Sequence, residues 1–401
     1  MRTLILSDLH LGSPSHVDLL RRADVRSPLL EQAREADRVV LLGDVLELRQ
    51  GPAHEALAVA RPFFEELGRA LAGRELVLAA GNHDHALLEP WLSRRGELEA
   101  AAPLELEQLV SPSQASAMLE RIAEWASPAR VRAAYPGLWV RPDVYATHGH
   151  YLDCHLTVPT IERLSVGVMA RLLGRHPDSF QSVEDYEAVT APMYAWRHAV
   201  ARVDRTTGPL NGDATVHAWR ALAGQRRSPA ASADGLPAAR RAAITRRLGT
   251  RALVAGFPLA VAALNRAGLG PLRAEVSLGE LRRAGLRAMG EVAQRLGLAD
   301  SYVVFGHTHR SGPLPDDDLR EWHRPPAAPG GTPGARLVNC GSWTFDSIFL
   351  GDTAGDNPYW PGTVAVVDDS GSPALARLLQ DRTRAELAAR APRETLTPRP
   401  A

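Results

Sequence analysis

A chain of 401 residues, 45% of them hydrophobic and with slightly negative mean hydropathy, holds enough apolar mass for one large domain with an insertion or for two domains. Its formal net charge is zero, so composition supplies no electrostatic pull toward nucleic acid or another polyanion. All 46 basic residues are Arg, which excludes a lysine nucleophile or Schiff base.

Cysteine usage and apolar runs narrow the class further. Cys154 and Cys340 are too few for a disulfide framework and fit a reducing compartment, as small buried hydrophobes rather than nucleophiles. No signal peptide is expected, because only Leu4 to Leu6 are apolar before Asp8 intervenes. The longest apolar run, Ala252 to Leu264, has 13 residues with Pro258 inside it. A bilayer span needs about 20. The expected location is the cytoplasm, with peripheral membrane contact the one membrane role left open.

In chain order, the first 85 residues alternate strand and helix. "TLILS" is a strand that runs into Ser7-Asp8-Leu9-His10, and alternate side chains of a strand share a face, so Asp8 and His10 project together. "SPLLEQAREA" is a helix with Ser27 as N-cap and Pro28 at its first position. "RVVLLGD" is a strand ending at Gly43-Asp44. "RPFFEELGRALAG" is a helix closing on Gly73, with Phe63 and Phe64 in the core, and "ELVLAAGNHD" is a strand ending at Gly81 to Asp84. Residues 86–137 read mainly as helices and loops, and "DVYATHGH" is a strand that delivers His148 and His150.

From Tyr151 to Asp300 the pattern becomes Ala/Leu/Arg-rich helices, with Ser228 to Ala239 a flexible loop. The last of these helices carries a capping box of Ser277 with Glu280. "YVVFGHTHR" returns to strand plus polar end, Gly312 to Ala335 is an exposed Pro/Gly-rich loop, and "RLVNCGSW" and "GTVAVVDDSGSPALARLL" are strands, the second a hairpin. The expected organisation is a core over 1–150 and 301–390, a helical insertion over 151–300, and a disordered tail over 391–401.

The strand ends collect Asp8, His10, Asp44, Asn82, His83, His148, His307 and His309. Carboxylate, imidazole and amide without thiolate suit borderline divalent metals such as Mn, Fe, Co, Ni or Zn. Two adjacent metals need seven or eight such ligands and one bridging carboxylate, for which Asp44 is the natural choice. Such a pair activates water, aligns it in line with phosphorus and neutralises phosphoryl charge.

The pieces "DLH", "GDVLE", "GNHD", "THGH" and "GHTH", in this order and each at a strand end, resemble the calcineurin-like metallophosphoesterase family over residues 1–150 and 301–345. The resemblance implies an α/β fold, the four-layer α/β/β/α sandwich, here with a large helical insertion. It implies that Asp8, His10 and His309 hold one divalent metal, that Asn82, His148 and His307 hold the other, and that Asp44 is shared, with Mn the foremost metal. His83 would act beside the metals as general acid or donor to the phosphoryl oxygens, oriented by Glu47, and Arg310 would contact a substrate phosphate. His150 stays open as an alternative to His148, and a solvated surface arginine is the plain alternative for Arg310. Asp84, His85, Asp153 and His155 are supporting or surface groups.

The segment 151–300 holds 20 Arg against 13 acidic residues, and 220–251 alone has eight Arg opposed only by Asp234. With the apolar run after it, this reads as a lid for an anionic, partly apolar substrate, or as a solvated helix beside a buried one. The lid and "GHTHR" are similar to the UDP-2,3-diacylglucosamine pyrophosphohydrolase branch of the family, although the insertion is longer and His150 stands where that branch usually has Asp. "GDVLELR" lacks the Asp-Arg-Gly ending of Ser/Thr protein phosphatases. The expected activity is hydrolysis of a phosphodiester or pyrophosphate bond by a metal-activated hydroxide, in a small lipid-linked or nucleotide-linked substrate. The alternatives are a general small-molecule or cyclic-nucleotide phosphodiesterase and a non-catalytic scaffold on the same fold.

Overall fold

The computed structural model describes residues 1–97, 102–203, 259–273, 278–326, 331–346, 350 and 357–389, with the side chains of 199–203 and 278 excepted. The loop over Ser228 to Ala239, the arginine-rich stretch 220–251, Ser277 and the tail 391–401 lie outside the described residues.

Among the described residues the fold is mixed α/β around an 11-stranded sheet. β1 (Thr3–Leu6), β2 (Arg38–Leu42) and β3 (Glu75–Ala79) are short Leu/Val-rich runs paired in parallel. Parallel strands are buried on both faces, which is why, after a polar first residue, these segments are apolar rather than alternating with polar residues. β4 (Glu107–Val110) lies against β5 (Arg130–Arg141), and β6 (Val144–Thr147), β7 (Tyr302–Phe305), β8 (Ser311–Gly312), β9 (Arg336–Cys340), β10 (Thr363–Val367) and β11 (Ala374–Arg377) follow. The spatial order is β11-β10-β1-β2-β3-β5-β6-β7-β9-β8, with β4 beside β5. The expected hairpin is β10–β11, antiparallel from Thr363 paired with Arg377.

Strand periodicity sorts the core into two clusters. Leu4, Leu6, Val39, Leu41, Leu76 and Leu78 pack with Phe63, Phe64 and Leu67 of the helix Ala53–Leu71 and with Leu29 of the helix Ala23–Glu35. The intervening residues Ile5, Val40, Leu42, Val77 and Ala79 face a second cluster that includes Val144, Ala146, Val304 and Val338. Truncating a fully buried ring such as Phe63 to Ala costs about 3–5 kcal/mol.

Three local expectations are corrected. The first helix begins at Ala23, not at Pro28, and Pro28 lies inside it. Arg26 anchors the early turn: its guanidinium pairs with Glu66 at 2.8 Å and donates to the Leu20 carbonyl at 3.0 Å, which offsets the backbone hydrogen bond that Pro28 removes. The second correction is β5, the longest of the described strands, which lies in a stretch that reads as helices and loops. Pro136 and Gly137 interrupt its pattern, because the strand changes partner there: Arg130–Ala134 pair with β3 and Gly137–Arg141 with β6. Third, the stretch from Gly312 is not simply an exposed loop, since it contains the short helix Leu319–Trp322 and buries Leu314 and Trp322.

The described residues divide into two compact units. One comprises Met1–His150, Tyr194–Val203 and the described part of Leu296–Ala401. The other comprises Tyr151–Met193 and the described part of Asp204–Arg295. In the helix Leu278–Arg295 of the second unit, the buried Glu280 carboxylate pairs with Arg287 at 2.5 Å and Arg283 at 3.3 Å. No helix of the described residues is long and apolar enough to cross a membrane.

Candidate metal centre

β1, β2 and β7 hand their polar residues to turns of unusual backbone geometry. Among the described residues eight non-glycine residues have positive φ, and five of them are Asp8, His10, Asp44, His307 and His309. The left-handed region costs L-residues about 1 kcal/mol or more, and such strain concentrates where function over-determines the backbone. Two glycines permit the turns to close on one another. A Cβ at Gly43 would lie 2.6 Å from the His148 ring, and one at Gly81 would lie 2.3 Å from Asp44 Oδ1.

The turns bring three sets of donor atoms together: Asp8, His10 and His309; Asp44, His148 and His307; and His10, Asp44 and His83, the atoms of each set lying within 4.8 Å of one another. Asp8 Oδ1 is 3.3 Å from His309 Nε2 and 3.9 Å from His10 Nε2. Asp44 Oδ2 is 3.7 Å from His10 Nε2 on one side and 3.3 Å from His148 Nε2 on the other, while its Oδ1 accepts from the His83 backbone N–H at 2.8 Å. One end of the Asn82 amide lies 3.1 Å from His307 Nδ1 and 3.2 Å from both Asp44 Oδ2 and His148 Nε2. All eight strand-end residues are thus gathered in one place.

Hydrogen bonds behind the cluster fix which ring nitrogen faces inward. His148 Nδ1 donates to the Leu42 carbonyl at 2.9 Å, so its Nε2 is the atom that faces the cluster. Glu47 Oε2 accepts from Nδ1 of both His10, at 3.2 Å, and His83, at 2.7 Å, with the same consequence for their Nε2 atoms. The Thr344 hydroxyl stands 3.3 Å from His309 Nδ1. This pattern, a ligand ring held by an outer partner, is how proteins orient metal-binding histidines.

The donor set fits a divalent cation. Asp8 Oδ1 is fully buried and receives no well-formed hydrogen bond, and the imidazole nitrogens of His309 and His10 stand around it. Burial should make the carboxylates neutral and the imidazoles neutral, yet the groups hold each other charged. Against the burial penalty, the His309 imidazole lowers Asp8 to about 2. Against the same penalty, Glu47 and Asp44 raise His10 to about 9, and Asp44 and Asp8 raise His148 to about 10. Protonated histidines therefore do part of what a metal would do, and metal uptake would displace those protons. His83 goes the other way: burial lowers it, and the nearby Arg49 guanidinium adds to the effect against the pull of Glu47.

His150 takes a different place from His148. Its ring lies edge-on to Tyr194 at 5.6 Å, and Tyr194 in turn meets His85 at 5.4 Å, so His85 and His150 belong to an aromatic cluster behind the site rather than to the donor sets. Arg310 is not placed as a phosphate fork. It is buried, its Nη2 pairs with Asp317 at 2.5 Å, and its guanidinium stacks 4.9 Å from the Trp322 ring. A polar loop rich in Asp follows it in sequence, and a desolvated guanidinium takes the nearest carboxylate.

The sequence left Asn339 and Arg49 unmarked and placed Asp84 only among supporting or surface groups. Asp84 is buried and accepts from the backbone N–H groups of Gly81 and Val45, each at 2.7 Å, and thereby ties the Asn82 turn to the Asp44 turn. Burial, with Asp44 adding to it, raises its carboxyl to about 6. The Asn339 amide nitrogen donates to Gly306 O and Thr308 Oγ1, both at 2.9 Å, and holds the strained turn that carries His307 and His309. Arg49 reaches the outer end of the Asn82 amide, at 2.6 Å. Only an alternating position on β9, for Asn339, and the motif position of Asp84 offered any signal.

Residues 1–175 match the family model described as Calcineurin-like phosphoesterase. No curated protein matches the chain. The matched segment supplies Asp8, His10, Asp44, Asn82, His83 and His148, and the fold adds His307 and His309 from β7 onward. By that match over residues 1–175 and its clustered His/Asp donors, the chain is a metal-dependent phosphoric ester hydrolase.

Proposed function

We propose that this chain hydrolyses a phosphodiester or pyrophosphate bond in a small phosphorylated substrate, lipid-linked or nucleotide-linked, with two divalent cations, Mn foremost, held as the family resemblance implies. The proposed frame is the four-layer α/β/β/α sandwich, with 151–300 a helical insertion and the cytoplasm the setting. The two-faced core, in which Ile5 and Val40 meet Val304 and Val338, supports that layering. The single observation that carries the two-metal reading is Asp44, whose Oδ2 stands between His10 and His148 and so belongs to both donor groups.

Asp8, His10 and His309 would hold one cation and Asn82, His148 and His307 the other, with Asp44 shared. Bound, the pair supplies a water of lowered pKa and neutralises phosphoryl charge. The chain's own residues do the rest. Glu47 keeps the Nδ1 proton of His83 in place, so Nε2 is the atom that donates to the leaving oxygen or to a phosphoryl oxygen. Asp44 Oδ1 fixes the backbone of His83, and Asp84 fixes the turn that bears it, so the ring is positioned before substrate arrives.

The test is to strip the protein with chelator, titrate Mn²⁺ by calorimetry with elemental analysis, and follow bis(p-nitrophenyl) phosphate. Two equivalents bound and turnover restored are expected. No uptake, or turnover that ignores the metal, overturns the reading. A panel of diesters, monoesters and nucleotide diphosphates then separates the substrate classes.

A further inference from the structure

The Asn82 side chain is asked for opposite things at its two ends. Its inner end faces His307 Nδ1, Asp44 Oδ2 and His148 Nε2 at 3.1–3.2 Å, and its outer end faces Arg49 Nη1 at 2.6 Å. An amide has one oxygen and one NH₂ to distribute. Without a cation, the NH₂ belongs inside, where its two hydrogens donate to Asp44 Oδ2 and His307 Nδ1, and the oxygen belongs outside, where it accepts from Arg49. With a cation among the donors, the oxygen must turn inward, and the NH₂ then meets the guanidinium donor to donor. A contact of 2.6 Å between two donors is untenable.

We propose that Arg49 is a metal-gated phosphate-binding residue, latched to the Asn82 amide in the metal-free protein and released toward the phosphoryl oxygens of the substrate when that amide turns to the metal. The inference rests on the two-metal reading above. Its position suits the task. Arg49 is half-buried, its backbone N–H donates to Glu47 Oε1 at 2.9 Å, and its charge is felt by His83. A released guanidinium beside His83 meets the anion that arrives there and offers it a planar fork. Arg310, committed to Asp317 and Trp322, is not placed to do so.

The experiment uses the full-length wild type, Arg49→Gln and Arg49→Lys, with thermal unfolding to confirm the fold. Mn²⁺ binding to the stripped protein is measured by calorimetry at low salt and at about 1 M salt, where plain charge repulsion is screened. Inorganic phosphate binding is measured on the Mn-loaded protein. Arg49→Gln is expected to bind Mn²⁺ several-fold tighter at both salts, since the latch no longer holds the amide, and to bind phosphate about tenfold more weakly. Arg49→Lys, with its charge but no fork, is expected to recover only part of the phosphate affinity. Unchanged or weaker Mn²⁺ binding, a gain that vanishes at high salt, or unchanged phosphate binding each overturns the proposal. Wild type that takes up no Mn²⁺ sinks the two-metal reading itself, whereas wild type that binds it with variants like wild type sinks only the latch.

Discussion

Buried or partly buried histidines occur in both units, and their surroundings differ in kind. In the first unit, His10 and His148 sit among carboxylates that raise them to about 9 and about 10 against the burial penalty. In the second, His155 packs edge-on to Tyr186, its Nε2 2.8 Å from the tyrosine hydroxyl, and burial with the Arg295 charge lowers it to about 4. The same side chain is thus held charged in one place and neutral in the other. What distinguishes a metal centre is therefore not a buried imidazole but convergence of lone pairs and carboxylates on strained turns. In the second unit the aromatic stack of Tyr151 on Tyr186, 4.8 Å apart, and the Tyr151 hydroxyl donating to Glu187 at 2.5 Å make an ordinary satisfied interior.

The contrast can be broken or sharpened by substitution. Asp44→Asn removes the carboxylate common to both donor groups, so bis(p-nitrophenyl) phosphate turnover with Mn²⁺ is expected to fall by more than about a hundredfold. Turnover at the wild-type rate would refute the mechanism. His83→Gln is expected to lower kcat by about a hundredfold while Mn²⁺ stoichiometry stays unchanged, because in the proposed mechanism the ring acts on substrate and not as a ligand. Loss of a metal equivalent in the elemental analysis would instead make it a ligand.

Arg310→Ala tests the burial of that guanidinium. Its KM is expected to stay within about twofold of wild type, and stability to drop by about 3 kcal/mol, since the largely buried Asp317 carboxylate loses its guanidinium partner. A large KM rise with unchanged denaturation midpoint would restore Arg310 to the substrate. His155→Phe gives the smallest effect. A histidine whose folded pKa of about 4 lies below its unfolded value resists protonation, so its burial costs stability as pH falls from about 6.5 to about 4. The thermal midpoint of the variant should therefore decline less than that of wild type across this window, and parallel declines would count against the assignment.

What was legible in the sequence was local. Apolar runs that stop at Asp8-x-His10, Gly43-Asp44, Gly81-Asn82-His83, His148 and His307-x-His309 mark strands whose ends carry ligand-type residues, because a strand end in a parallel sheet has nowhere to go but the loop above it. The chemistry of those groups limited the metals and the reaction class. Strand β5 was illegible because its sequence is a compromise between two sets of neighbours, and the first helix misled because Arg26 offsets the proline within it.

Tertiary structure alone decided the rest. Which of His148 and His150 faces the donor cluster, that Arg310 turns to Asp317 while Arg49 reaches Asn82, and that Asp84 and Asn339 brace the turns are all outcomes of contacts between residues distant in the chain. Sequence carries the identity of each polar group, but the partner that each one takes when water is withdrawn depends on which other donors and acceptors the fold leaves within about 3 Å.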